Sequence, residues 1–280
     1  MQPDPSHDSA SHQLRWSGLT HPGKVRKNNE DAFLALQFDG RELRYLGKVG
    51  EASLAHNDFV FAVSDGMGGA RAGEFASKVA VQKITKLLPS AYKISALGLD
   101  AGADDVLMEL FDQIHKELLF LGRSYAECAG MGATLSLCWF TPGRVLFAHV
   151  GDSRIYFLPG APESAITQVT HDDTHVGWLQ RQGKMTEREA KMHPRRNALQ
   201  KALGAGTQFA EPQIGSVKFD PGDRFLLCSD GLVDELFDAT LQDILGSKMG
   251  VESVAGALIG TALEHAARDN VTAVVVEAGS

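Results

Sequence analysis

Apolar positions along the chain recur with two periods. Ten short runs, alternating or nearly continuous in apolar residues, read as β-strands: Phe33–Phe38, Arg44–Val49, Asp58–Ser64, Ala133–Phe140, Val145–Val150, Arg154–Leu158, Ile166–Thr170, Gln213–Phe219, Arg224–Ser229 and Val271–Glu277. Turn chemistry separates several of them, at Thr141-Pro142-Gly143, Pro159-Gly160 and Asp220-Pro221-Gly222-Asp223. Connections this short favour antiparallel pairing. Three longer blocks carry one apolar stripe at helical spacing: Gly73–Leu88, Asp104–Leu121 and Val251–Ala267. Pro89 is expected to end the first. A single stripe has to lie against a sheet, and strands grouped apart from helices predict an α+β fold rather than a doubly wound sheet.

Composition narrows the class. The chain has 280 residues, of which 44% are hydrophobic and 22% charged, as in a globular protein with a core of its own. Residues 1–12 read as a disordered tail and 13–280 as one domain. Net charge is −8, so a general nucleic-acid binder is not expected. Cys128, Cys138 and Cys228 have no metal-binding spacing and are odd in number, as expected of buried thiols in a reducing compartment. With no apolar leader and no run long enough to span a bilayer, the expectation is a cytoplasmic monomer without membrane contact.

The chemistry lies at strand ends. Phe59–Val63 runs into Ser64-Asp65-Gly66, and Arg224–Cys228 runs into Ser229-Asp230-Gly231. Either alone is an ordinary turn. Two together point to a shared site, because a buried strand end is rigid enough to aim a carboxylate. Glu30-Asp31 opens another strand, Asp152 sits between two, and Asp269 directly precedes Val271–Glu277. Each of these is singly a cap or hairpin residue. As a set, carboxylates without a His–Glu zinc pattern suit Mg²⁺ or Mn²⁺, and converging carboxylates need cations between them.

These stretches carry a family resemblance. Val25-Arg-Lys-Asn-Asn-Glu-Asp31, Val63-Ser-Asp-Gly-Met-Gly-Gly69, Gly130-Met-Gly-Ala-Thr134, His149-Val-Gly-Asp-Ser-Arg-Ile-Tyr156, Leu227-Cys-Ser-Asp-Gly-Leu232 and Arg268-Asp-Asn-Val-Thr272 occur in family order across nearly the whole chain beyond the tail. The chain resembles the metal-dependent Ser/Thr protein phosphatases of the PPM type (type 2C), in their compact bacterial form. The resemblance implies a four-layer αββα sandwich: two antiparallel sheets, with a helix pair on each outer face. It implies that Asp65 bridges two metals, with the Gly66 carbonyl on one and Asp230 and Asp269 on the other. Asp31 and Glu30 would bind through waters, and Asp152 with Asp230 would hold a weaker third ion. Arg26 would grip the substrate phosphate, for which a guanidinium fork is suited. The implied reaction is hydrolysis of phosphoserine or phosphothreonine by a metal-bridging water, without a covalent intermediate. The implied partners are phosphorylated proteins, a Ser/Thr kinase or its targets.

Met67 stands where some relatives carry a proton-donating histidine. A metal-bound water near Asp152 is the expected acid, with His171 and His175 as alternatives. Residues 181–201 carry seven Lys/Arg against two Glu in a chain of net −8, and the family places a flap there. This flap is either an attractor of acidic phosphopeptides or a solvated helix face. Residues 39–57 read as an extra hairpin. The rival functional class is a catalytically silent phosphoprotein-binding relative, which should have lost metal carboxylates; Asp31, Asp65, Asp230 and Asp269 are all present.

Overall fold

The computed structural model describes residues 13–39, 42–96, 102–206 and 210–279. The expected tail, 1–12, lies outside them.

Fourteen strands form two sheets among the described residues, and every strand pair is antiparallel. In chain order they are β1 (Gln13–His21), β2 (Asp31–Phe38), β3 (Leu43–Tyr45), β4 (Val49–Ser53), β5 (Asp58–Met67), β6 (Gly132–Ala133), β7 (Leu135–Thr141), β8 (Arg144–Val150), β9 (Arg154–Leu158), β10 (Thr167–Gln168), β11 (Leu203–Gly204), β12 (Gln213–Lys218), β13 (Arg224–Cys228) and β14 (Val271–Gly279). The first sheet runs β10-β9-β13-β14-β1-β4. The second runs β11-β6-β5-β7-β8-β12, with β2 and then β3 added beside β5. The helices are α1 (Ala70–Ala96), α2 (Ala103–Ser124), α3 (His175–Arg181), α4 (Glu187–Met192), α5 (Asp230–Glu235), α6 (Asp238–Leu245) and α7 (Val251–Glu264).

Strand alternation builds three cores. On β5, Phe59, Phe61 and Val63 meet Phe140, Phe225 and Val274 between the sheets, while Val60 and Ala62 face Ala76, Ile84 and Phe111 of α1 and α2. The outer face of the other sheet meets α5, α6 and α7 through Leu226, Val275, Leu232 and Leu258. The result is the αββα layering. The inter-sheet core is aromatic: Phe140 packs edge-on against Phe61 and Phe225, with ring centroids 5.6 and 5.3 Å apart.

Three expectations are corrected. α1 does not stop at Pro89 but continues to Ala96, because a proline removes one backbone donor without forbidding the turns after it. Residues 39–57 are not a hairpin of their own: β3 pairs with β2 in one sheet and β4 with β1 in the other. The run Arg44–Val49 is accordingly broken between two strands. β1 was absent from the expected strands. It is nevertheless a central strand, with Arg15 set between Glu277 and Glu51 on its two neighbours.

Candidate active site

The alternation that fills the inter-sheet core also aims the site. Asp65 follows Phe59, Phe61 and Val63 at every second position of β5, so it belongs to the inter-sheet face. Asp31 shares the parity of Phe33 and Ala35 on β2, and the β2–β5 register sets Asp31 directly opposite Asp65. On the facing sheet, Ser229 continues the parity of Phe225 and Leu227, and Thr272 that of Val274 and Val276. All four therefore meet at one end of the sandwich.

Asp31 is buried there. Its Oδ2 accepts from Ser229 Oγ at 2.7 Å and Thr272 Oγ1 at 2.6 Å, while its Oδ1 has no partner. Burial first, then the Asp269 and Glu30 charges, push its pKa up to about 6 against those two hydroxyl bonds. Asp65 is held by a reciprocal clasp: its N–H donates to Thr134 Oγ1, and the Thr134 N–H donates to its carbonyl. Ser153 Oγ bonds the same threonine hydroxyl at 2.7 Å. Burial, followed by repulsion from Asp31, Asp230 and Asp152, lifts the Asp65 carboxyl well above the usual range. Asp230 opens α5. Burial, then Asp234, Asp269 and Asp31, push it up to about 7, and it lies within hydrogen-bonding reach of Asp65. Its Oδ1 is also buried without a partner.

A cleft of about 550 Å³ opens over these groups. Arg26, Glu30, Asp65, Gly66, Asp152, Asp230 and Asp269 all line it; Asp31 lies behind Asp65 and does not. Asp152 is raised well above the usual range by burial and then by Asp230, and Glu30 is raised by burial. The Asp269 Oδ2 accepts from Arg26 at 2.7 Å, and its Oδ1 from the Asn270 N–H at 2.9 Å. Asn270 in turn holds the Arg26 loop, accepting from the Glu30 N–H and donating to the Pro22 and Asn28 carbonyls. Two glycines are required by close approach. A Cβ on Gly73 would sit 2.2 Å from Glu30 Oε2 and 2.8 Å from the Gly66 carbonyl, so α1 leaves room where those oxygens converge. A Cβ on Gly231 would sit 2.0 Å from the Asn270 carbonyl.

Two unpartnered buried carboxylate oxygens and five carboxyls raised together describe an under-neutralised, all-oxygen donor set. Such a set suits a hard divalent cation. Among the described residues no three acidic, histidine or cysteine side chains are closed tightly enough to hold an ion by themselves.

The protein phosphatase 2C family model matches residues 49–261. The Ser/Thr phosphatase stp of Listeria welshimeri is 33% identical over 259 residues, covering 92% of this chain and 93% of its own. This chain belongs to the protein phosphatase 2C family. It is a protein serine/threonine phosphatase of the bacterial PPM type. Among curated relatives, the Mycobacterium tuberculosis phosphatase PstP is 34% identical over 94% of this chain and 45% of its own length. Among solved structures, Staphylococcus aureus Stp1 superposes with a TM-score of 0.78 at 29% identity, covering 94% of each chain. A catalytic-domain structure of PstP in complex with two manganese ions gives 0.72 at 30% identity, covering 96% and 100%.

Several residues around this phosphatase's cleft were not singled out by sequence. Thr134, Ser229 and Thr272 lie inside the family motifs, but nothing local marks them as the supports of Asp65 and Asp31. Asn197 reaches the cleft from the flap, and its signal is purely tertiary. The flap's charge is also less free than its composition suggests. Lys191 reaches the Val233 and Leu236 carbonyls, Arg196 pairs with Asp234, Arg181 donates to the Asp172 carbonyl and Lys201 lies 3.6 Å from Asp173. Exposed Lys184 lies over the Trp178 ring, and exposed Arg188 and Arg195 remain as the other outward cations. No described helix is long and apolar enough to cross a membrane.

Proposed function

We propose that this phosphatase hydrolyses phosphoserine and phosphothreonine in proteins with a pair of divalent cations, Mn²⁺ or Mg²⁺, and opposes a Ser/Thr kinase. When bound, the pair supplies positive charge to the phosphoryl oxygens and activates the water between them that attacks phosphorus. The Asp65 carboxylate would be shared between the ions and the Gly66 carbonyl would serve one of them. Asp230 and Asp269 would serve the other, Asp31 and Glu30 would act through water, and Asp152 with Asp230 would hold a third, weaker ion. Arg26, at the cleft mouth, orients the phosphate through its guanidinium fork. No histidine is among the cleft-lining residues and Met67 carries no proton, which supports a metal-bound water near Asp152 as the group that would protonate the leaving oxygen.

One observation carries the reading. Asp65 faces Asp31 across a strand pair and lines one cleft with Asp152, Asp230 and Asp269, an arrangement of carboxylates that needs protons or cations between its members. The test is Mn²⁺-dependent phosphate release from a phosphothreonine peptide, comparing wild type with Asp230→Asn. The variant is expected to lose at least about 100-fold in kcat, the scale of losing one preorganised electrostatic element. Wild-type protein that binds the peptide but shows no metal-dependent turnover would make the chain a binding module instead.

A further inference from the structure

Residues 171–201 cross the cleft edge as a flap carrying α3 and α4, and their underside is anchored on one short helix, α5. Lys191 donates to the Val233 and Leu236 carbonyls at the C-terminal end of α5, where a cation is favourable. Arg196 donates twice to Asp234 Oδ2, at 3.0 and 3.1 Å. Asn197 bridges Asp230 Oδ2 at 3.0 Å and Asp234 Oδ2 at 3.1 Å with its side-chain amide nitrogen. Asp230 and Asp234 are one helical turn apart, a spacing at which like charges repel. Of the two polar atoms at the tip of an asparagine only the amide nitrogen donates, and its two N–H groups let it serve both carboxylates at once. The consequence for Asp230 is asymmetric: Oδ2 is held, and Oδ1 stays buried with no partner.

We propose that Asn197 is a positioning residue that fixes the Asp230 carboxylate for ion binding and thereby couples the flap to the metal site. The inference rests on the assignment of Asp230 as a cation ligand. With Asn197 in place, one oxygen is tethered and the other is presented. Without it, the carboxylate turns freely or shares its neighbour's proton, and the ion has to order it. Because coupling is reciprocal, ion binding has to alter the flap as much as the flap alters ion binding. Trp178, on α3 and half-exposed beside His175 and Lys184, is the natural reporter, since Trp16 and Trp139 are buried elsewhere.

The experiment titrates Mn²⁺ by calorimetry into wild type, Asn197→Ala and Asp230→Asn, with no substrate present. It also follows tryptophan fluorescence during Mg²⁺ addition, with Trp178→Phe identifying the flap signal. Asn197→Ala is expected to bind Mn²⁺ about tenfold more weakly, the scale of one hydrogen bond to a charged group, and to lose most of the Mg²⁺-linked Trp178 change. Thermal melting in chelator checks that the variant is folded; Asn197 is exposed and fills no core. A wild-type isotherm matched by Asn197→Ala, or a Trp178 signal indifferent to Mg²⁺, overturns this inference and leaves the active-site reading standing. Wild type that binds no Mn²⁺ overturns both.

Discussion

The raised carboxyls make stability depend on pH in a way that divalent cations should invert. An acid whose folded pKa lies above its unfolded value keeps its proton longer in the native state. Its stabilising contribution is therefore full below the unfolded value and is lost as pH rises through the folded one. Asp31 moves from 3.8 to about 6 and Asp230 from 3.8 to about 7, and Asp65 and Asp152 move the same way. For Asp31 alone the displacement corresponds to about 3 kcal/mol, lost between about pH 4 and pH 7. His149 acts oppositely: buried between Ser136 and the Gly151 carbonyl, its pKa is lowered, so its contribution is lost as pH falls.

Cations change the account because they require ionised carboxylates, so their stabilisation grows with pH. At a concentration about 100 times Kd one bound ion adds about 2.7 kcal/mol, and about 1 kcal/mol shifts Tm by roughly 2 °C in a domain this large. The assay is thermal melting from pH 5 to 7.5, with chelator and with millimolar Mg²⁺, reporting the difference in Tm at each pH so that His149 cancels. The difference should be near zero at pH 5 and rise to at least about 5 °C at pH 7.5, with the rise blunted in Asp230→Asn. A difference independent of pH would show that the raised carboxyls are not the cation ligands.

Two further outcomes follow from the cleft and the flap. Arg26→Ala should lower kcat/KM for a phosphothreonine peptide about 30-fold, for about 2 kcal/mol of charge-assisted hydrogen bonding, and Arg26→Lys should recover only part in the same steady-state assay. Arg195→Glu and Arg196→Glu should separate. The exposed Arg195 variant is expected to raise KM severalfold for an acidic phosphopeptide while sparing an aryl phosphate. The Arg196 variant sets a carboxylate against Asp234 and should lower Tm and the turnover of both substrates.

What the chain disclosed on reading was the local part of this architecture. Ser64-Asp65-Gly66 and Ser229-Asp230-Gly231 are legible because a buried strand ending in an acid is unusual within a few residues of sequence. The stripes of α2 and α7 are legible because helical periodicity is local. β1 was missed because Arg15, Ser17 and Thr20 interrupt its apolar positions, and it is stabilised by β14, more than 250 residues later. The split of residues 39–57 between two sheets was hidden for the same reason, since pairing partners lie outside any short window. The supports of the site were hidden more deeply. Thr134, Ser229 and Thr272 gain meaning only from strand parity, and Asn197 only from the folding of the flap onto α5.

The balance of charge explains why so much of that support is neutral. Five carboxylates line the cleft against Arg26 and Lys27, and Asp31 stands behind them. Asp31 is held by two hydroxyls and Asp65 by a threonine clasp; Asp230 is held by an amide. A lysine or arginine in any of these places would relieve the repulsion and raise the stability of the ion-free protein. It would also occupy the charge that a cation has to find. With all five ionised the cleft would be three positive charges short of neutral, an excess that the raised carboxyls lessen by keeping protons, and a phosphate monoester, itself an anion, has little electrostatic reason to enter it. The proposed pair of divalent cations would reverse that sign. Holding Asp31, Asp65 and Asp230 with uncharged donors, while Asp269 alone of the cleft acids is paired with Arg26, leaves carboxylate charge that cations would have to neutralise for the substrate to enter.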